Sequence, residues 1–270
     1  VGAQMFPGET YGTFLKESHA DKPVDNTHLR KSKMPRESSQ ADQFDYVIIG
    51  GGSAGCILAN RLSADPNCRV LLLEAGKEDR SIWTKVPFGY AYTVGNPKFD
   101  WCFQTAPEPE LNNRQIVHPR GKVLGGSSVI NGLFQVRGQA GDFDHWRQQL
   151  GLEGWDWDSV LPYFIMHEDY AGGASPVHGV GGELHVEPQR NWWPVLHIIK
   201  DAAKQAGYKE CADFNAGDNE GVGEYQAITG KGLRQSTSRV FLKPVRSRSN
   251  LRVETQALAQ RILFEGTRAV

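Results

Sequence analysis

The chain has 270 residues, 39% of them hydrophobic and 30 of them glycine, the make-up of an ordinary folded protein of one or two domains and not of a disordered chain. Thirty Lys and Arg against 31 Asp and Glu leave a formal charge of -1, which argues against nucleic acid or an anionic membrane as the main partner; the locally basic stretch Arg239 to Arg248 does not change that balance. No apolar run approaches the ~18 residues that span a bilayer, and the first thirty residues lack the order of a signal peptide, so a soluble, cytoplasmic protein is expected.

Residues 1–43 are polar, rich in Lys, Ser, Asp and Pro, and predict an extension or linker. The texture changes at Phe44, where Phe44 to Ile49 is a short β-branched and aromatic run ending in three glycines, as a buried parallel strand would. Ser53 to Ser63 places Ile57, Leu58 and Leu62 on one helical face, and Arg69 to Glu74 predicts a second buried strand. Strand, helix and strand within about thirty residues make a βαβ unit. Ala75 to Pro119 is aromatic but aperiodic and is expected to be loop-rich. A helix is predicted over Asp158 to Glu168, a strand at Glu183 to Val186 and an amphipathic helix over Val195 to Ala206. Asn250 to Thr255 and Arg261 to Glu265 predict two strands returning to the first sheet.

Gly50-x-Gly52-x-x-Gly55 follows the first strand and opens the first helix, and Glu74 closes the next strand. The first glycine serves the tight turn, the second lets the backbone approach a pyrophosphate, and the third lets helix and strand pack closely. Ser53 and Ala54 lie between them at the helix N-terminus, whose free N–H groups favour phosphate. Glu74 can accept hydrogen bonds from a ribose diol. The same residues also spell Gly51-x-Ser53-x-Gly55, the pattern of a hydrolase nucleophile elbow. That rival reading leaves Glu74 without a role and has no preceding oxyanion segment.

A second constellation runs from His118 through Gly125-Gly126-Ser127-Ser128 to Asn131-Gly132. Two glycines followed by two serines predict a helix start with hydroxyl caps. The four cysteines, Cys56, Cys68, Cys102 and Cys211, stand singly and predict reduced, mostly buried thiols, with neither a zinc site nor a disulfide framework. None of the eight histidines belongs to a metal-like or catalytic constellation, so each is read as surface or structural.

With the first motif, this second segment resembles the glucose–methanol–choline family of FAD-dependent oxidoreductases. The resemblance runs from Phe44 to Val270 and includes Gly154-Trp155-x-Trp157-Asp158, His178-Gly179-x-Gly181-Gly182, Arg234-x-Ser236 and Phe241-Leu242-Lys243-Pro244; in detail it is most similar to choline-dehydrogenase-like and alcohol-dehydrogenase-like members. Gln135 departs from the pattern, where an aromatic or alanine is usual.

The resemblance implies an α/β fold in which a Rossmann-like FAD-binding domain is interrupted by a substrate-side module with antiparallel strands. Residues 44–170 would form the first part of the FAD-binding domain, 171–235 the inserted module, and 236–270 the return strands. Gly50, Gly52, Ser53, Ala54 and Gly55 would hold the FAD pyrophosphate and Glu74 the adenosine ribose. Val123, Gly126, Ser127, Asn131, Gly132 and Leu133 would line the flavin side, and Ala259 would meet adenine through its backbone. Asn131 stands where some members have the histidine that carries the flavin covalently, so non-covalent FAD is implied.

The implied reaction is oxidation of an alcohol with hydride passing to the flavin, electrons leaving to oxygen or a respiratory acceptor. The family's base histidine and its partner are expected beyond Val270, with no catalytic residue in these 270. A hydroxynitrile lyase and a light-driven fatty-acid decarboxylase remain open on the same scaffold.

Overall fold

The computed structural model describes residues 43–190 and 193–269, all within one compact unit, Gln43–Val270. The expected extension, save Gln43, lies outside the described residues. In chain order the main elements are β1 (Tyr46–Ile49), α1 (Ser53–Leu62), β2 (Val70–Glu74), β3 (Phe134–Gln135), α2 (Ala140–Leu150), α3 (Trp157–His167), β4 (Glu168–Tyr170), β5 (Leu184–Pro188), α4 (Pro194–Gln205), β6 (Gln226–Ala227) and β7 (Leu251–Thr255). No helix among the described residues is long and apolar enough to cross a membrane.

The first sheet is wholly parallel, in the order β1-β2-β7, with both Tyr46 and Leu251 opposite Val70. Parallel strands are covered on both faces when central, which is why β2 reads as an unbroken aliphatic run. Val70 and Leu72 are fully buried and join Ile48, Cys56, Ala59, Phe241, Leu242 and Leu251 in the main core. β1 stands at the edge, and Tyr46, Val47 and Ile49 are each about half exposed. The Phe241-Leu242 motif forms part of a buried π-helical turn, Ser238–Leu242, that packs on α1, where the Asn60 amide donates to the Phe241 carbonyl at 2.6 Å.

The second sheet has the order β3-β6-β5-β4. The pairings β3 to β6 and β5 to β6 are antiparallel, as expected, whereas β4 and β5 pair in parallel. It therefore takes strands from both sides of residue 170.

Behind this sheet lies a chain of buried polar groups. Arg137 Nη2 and Glu168 Oε1 meet 2.9 Å apart as an ion pair, off the axis of an aligned hydrogen bond. Glu168 Oε2 lies 2.7 Å from His178 Nδ1, and Asp213 Oδ2 lies 2.8 Å from His178 Nε2. Tyr170 stacks on the imidazole with centroids 4.0 Å apart. Asn215 donates to the Gln135 carbonyl at 3.1 Å and to Gln226 Oε1 at 2.8 Å, closing the group against β3 and β6. Buried charges survive only when paired and hydrogen-bonded, and the histidine of the His178-Gly179 motif supplies one of those pairings.

Three expectations fail. β1 is an exposed edge strand and not the buried strand expected at Phe44 to Ile49. Gly126–Val129 is a single 3-10 turn without a side-chain cap, in place of a capped helix. The serine hydroxyls are spent elsewhere: Ser127 Oγ accepts from the Gly121 amide at 3.1 Å, and Ser128 Oγ donates to the Gly125 carbonyl at 2.6 Å. Phe264–Glu265 does not return to the parallel sheet but pairs with Arg268–Ala269 in a separate hairpin, because Gly266 at φ +63° turns the chain back within two residues. Cys56 and Cys211 are buried, while Cys68 and Cys102 are half-buried; all four are free thiols.

Candidate functional site

β1 must turn into α1 within three residues. Gly50 does so at φ +97°, a conformation that strains any residue with a Cβ. Gly55 lies where α1 crosses that turn, and a Cβ there would stand 1.9 Å from the Gly50 carbonyl oxygen. Gly52 is the N-cap of α1 and offers no side-chain cap, so the first-turn amides keep their donors for an outside acceptor.

Glu74, 5% exposed, ends β2 beneath this turn. Its Oε2 accepts from the Gly51 amide and its Oε1 from the Gly76 amide, both at 2.7 Å. The carboxylate thus braces the turns that follow β1 and β2, and each oxygen retains room for a second hydrogen bond.

The second glycine segment is joined to the first backbone to backbone. The Gly125 amide donates to the Gly51 carbonyl at 2.6 Å, and the Leu124 amide to the Lys77 carbonyl at 2.9 Å. A Cβ on Gly126 would lie 2.7 Å from Gly52 Cα. β7 supplies the third wall. Its Thr255 is opposite Glu74, and the Ala257 amide continues the ladder to the Glu74 carbonyl at 2.9 Å, which delivers Ala257 to Ala259 to the same place.

The result is a cavity of about 500 Å³ lined by Gly50, Gly52, Ser53, Glu74, Gly126, Ser127 and Ala259 among others. Of the remaining residues expected at the site, Gly55 serves the helix-to-strand contact, Ala54 is exposed on α1, and Val123 is buried with Val129 and Ile130. Gly132 and Leu133 line a second cavity, of about 620 Å³, together with Pro87, Phe88, Tyr90 and Phe134. Asn131 lines neither cavity; its Oδ1 accepts from the Leu133 amide at 3.2 Å and from Arg234 Nη1 at 2.7 Å.

Trp101, Phe103 and Arg120 also line the first cavity, and aperiodic sequence gave no reason to single them out. Their organiser is Asp100, 1% exposed, whose carboxylate accepts from the amides of Gly95, Cys102 and Arg120 at 2.8 to 2.9 Å. Burial works to raise its pKa, but these amides outweigh it and hold the group below the ordinary carboxylate value. A single Asp between an aromatic run and the Arg120-Gly121 pair was the available signal.

Among the described residues no histidine lines the cavity that holds Ser53, so the nucleophile-elbow reading finds no base and no support there. His178 is committed to Glu168 and Asp213, and His185 to Asp169 at 2.8 Å.

Strand, glycine turn, helix and acid-ended strand, closed by a second glycine segment, define a dinucleotide-binding α/β protein. The chain belongs to the GMC oxidoreductase family, whose pattern it matches over residues 44–270. It is 46% identical over 236 residues to the oxygen-dependent choline dehydrogenase of Chromohalobacter salexigens, covering 86% of this chain and 42% of that protein. Among solved structures it resembles pyridoxine 4-oxidase from Mesorbium loti, with a TM-score of 0.80, 33% identity, and coverage of 84% of this chain and 45% of that one. It also resembles an FAD-dependent oxidoreductase from Chaetomium thermophilum, with a TM-score of 0.76, 31% identity, and coverage of 84% and 41%. The chain thus spans less than half the length of each of these relatives.

Proposed function

We propose that the protein carrying this chain is an FAD-dependent oxidoreductase acting on the CH–OH group of an alcohol, choline or another primary alcohol, with electrons passing to oxygen or a respiratory acceptor. The observation that carries the reading is the joining of two glycine segments and Glu74 around one cavity. Where Gly126 meets Gly52 the wall is bare backbone, since a Cβ on Gly126 would collide with Gly52, and a pyrophosphate needs that close approach. The buried carboxylate beside it suits a ribose diol. These residues fit the adenosine and pyrophosphate half of FAD, and the second cavity, lined by Gly132 and Leu133, suits its ring.

When bound, the flavin supplies the redox chemistry by accepting a hydride from the alcohol carbon. The chain's own part is to hold and orient: Gly50, Gly52 and Ser53 present amides to the phosphates, Glu74 takes the ribose, and Gly126, Ser127, Asn131, Gly132 and Leu133 line the path to the ring. FAD is held without a covalent bond, because an amide at Asn131 has no nucleophilic nitrogen comparable to imidazole. The name of the bacterial relative and the choline-like motifs favour choline as the first substrate to test.

Purified protein is expected to be yellow and to release FAD into the supernatant on acid precipitation. Protein that takes up NAD but not FAD would overturn the cofactor, and flavin that stays with the pellet would overturn the mode of attachment. Steady-state assays with choline and a panel of primary alcohols, using an artificial electron acceptor, test the substrate class.

A further inference from the structure

A further cavity, of about 180 Å³, shares no lining residue with the two described above; Asp79, Lys85, Arg234, Ser238 and Arg239 are among its walls. Two of these residues carry a buried polar atom with no hydrogen-bond partner among the described residues: Arg234 Nε, a donor, and Asp79 Oδ1, an acceptor. Arg234 is 1% exposed. Its Nη1 donates to Asn131 Oδ1 at 2.7 Å and to the Ser128 carbonyl at 3.2 Å, and its Nη2 to the Pro87 carbonyl at 3.1 Å, so Nε is the one side-chain nitrogen left over. Burial lowers its pKa to about 10, and the charge of Asp79 opposes that. The guanidinium therefore stays a cation at neutral pH, with Asp79 near enough to act on it but not bonded to it. Asp79 Oδ2 accepts from Ser238 Oγ at 2.8 Å and from Ser236 Oγ at 3.2 Å, which leaves Oδ1 in need of a donor. Such atoms cost free energy until something satisfies them.

Charge narrows the choice of ligand. Five cations line the cavity, Lys85, Arg234, Arg239, Lys243 and Arg246, against two acids, Glu78 and Asp79. Arg246 is held by Glu78, so four cations face Asp79 alone. A ligand that answers all of them is an anion with several acceptor oxygens and one O–H to give. Water has the proton but no charge. Sulfate has the charge but no proton, and so does the dianion of a phosphate monoester, which is fully formed well above a pKa of about 6. Inorganic phosphate keeps one P–OH at neutral pH and has both.

We propose that this cavity is a binding site for inorganic hydrogen phosphate, with Arg234 Nε, Lys85 and Arg239 holding its charged oxygens and Asp79 Oδ1 accepting its P–OH. An anion without that hydroxyl sets an oxygen against the Asp79 carboxylate and is rejected. The ion ties residues 78–85 to residues 234–243, so its binding stabilises the native state by mass action. The site stands independently of the FAD reading.

The test titrates FAD-loaded protein, its glycine cradle filled, with sodium phosphate, sodium sulfate and glycerol 3-phosphate at pH 8 by isothermal calorimetry. Phosphate should bind at one per chain and at least about a hundredfold more tightly than the other two, because a site built around a ligand hydroxyl discriminates strongly against its absence. In Asp79→Asn the two serine donors keep the amide oxygen and turn its NH₂ into the cavity, so sulfate should bind about as well as phosphate. Lys85→Gln and Arg239→Gln, both at half-buried side chains, should each weaken phosphate roughly tenfold by removing a charge-assisted contact. No phosphate binding, or equal affinity for sulfate in the wild type, overturns the inference. So does phosphate binding that neither charge variant changes, which would locate the ion elsewhere. Should Asp79→Asn fail to fold, the two glutamine variants and the wild-type preference for phosphate over sulfate decide the matter; should the protein take up no FAD, the same variants tell this cavity from the empty glycine cradle.

Discussion

The two sheets are held together by opposite means. Around the first cavity the contacts are backbone to backbone, made possible where Gly50, Gly55 and Gly126 lack a side chain, with Glu74 and Asp100 as buried acids bracing the turns. Behind the second sheet the contacts are side chain to side chain, through Arg137, Glu168, His178 and Asp213. The first arrangement leaves amides and open space for a ligand. The second pairs its charged groups with one another, and its buried histidine, flanked by two carboxylates, lines neither candidate cavity.

The contrast breaks first at the charged set. Arg137→Met leaves Glu168 buried with half its pairing and is expected to destabilise the fold by about 3–5 kcal/mol, seen as a lower urea midpoint with unchanged slope. FAD affinity of the surviving folded fraction should be unaffected. A variant with wild-type stability would show that the pair contributes nothing.

Gly55→Ala comes next. A methyl 1.9 Å from the Gly50 oxygen forces α1 away from β1, at a cost of about 1–3 kcal/mol for overpacking, and here stability and FAD retention should fall together. If only stability fell, the helix-to-strand contact would be separable from the ligand site.

Glu74→Gln sharpens the comparison within the first site. It keeps one oxygen acceptor but sets an amide group against a backbone N–H, at about 1.5 kcal/mol, so FAD should bind roughly tenfold more weakly in an equilibrium fluorescence titration. Unchanged affinity would confine Glu74 to bracing the two turns.

The smallest effect concerns Cys56, on the face of α1 turned to the core, whose Sγ lies 3.2 Å from the Gly51 carbonyl oxygen. Burial pushes its thiol up to about 12 from an ordinary 9.0. The native state therefore holds this proton where the unfolded chain has lost it. The contribution to stability is complete below pH 9 and is lost as pH rises toward 12. Iodoacetamide at pH 8 should leave Cys56 unmodified in native protein and label it after unfolding, as peptide mass mapping would report; native labelling would mean that α1 opens readily.

Local pattern was enough for the βαβ unit. The aliphatic run of Val70 to Leu73, the helical spacing of α1, the positions of Gly50 and Gly55, and Glu74 at a strand end each follow from period and turn chemistry within a few residues. The same holds for α3 and α4, found within one residue of the ranges expected from sequence. Tertiary structure decided what depends on partners far along the chain. The serines after Gly126 could cap a helix or bond to a neighbouring loop, and the Thr237 amide, 109 positions away, took Ser128 Oγ. His178 acquired its meaning only when β4 and the Asp213 loop met around it, and Arg234 only when Pro87, Ser128 and Asn131 converged on its fork. A hydrogen bond is set by distance in space, and sequence spacing reports that distance only inside a helix, a turn or a strand ladder.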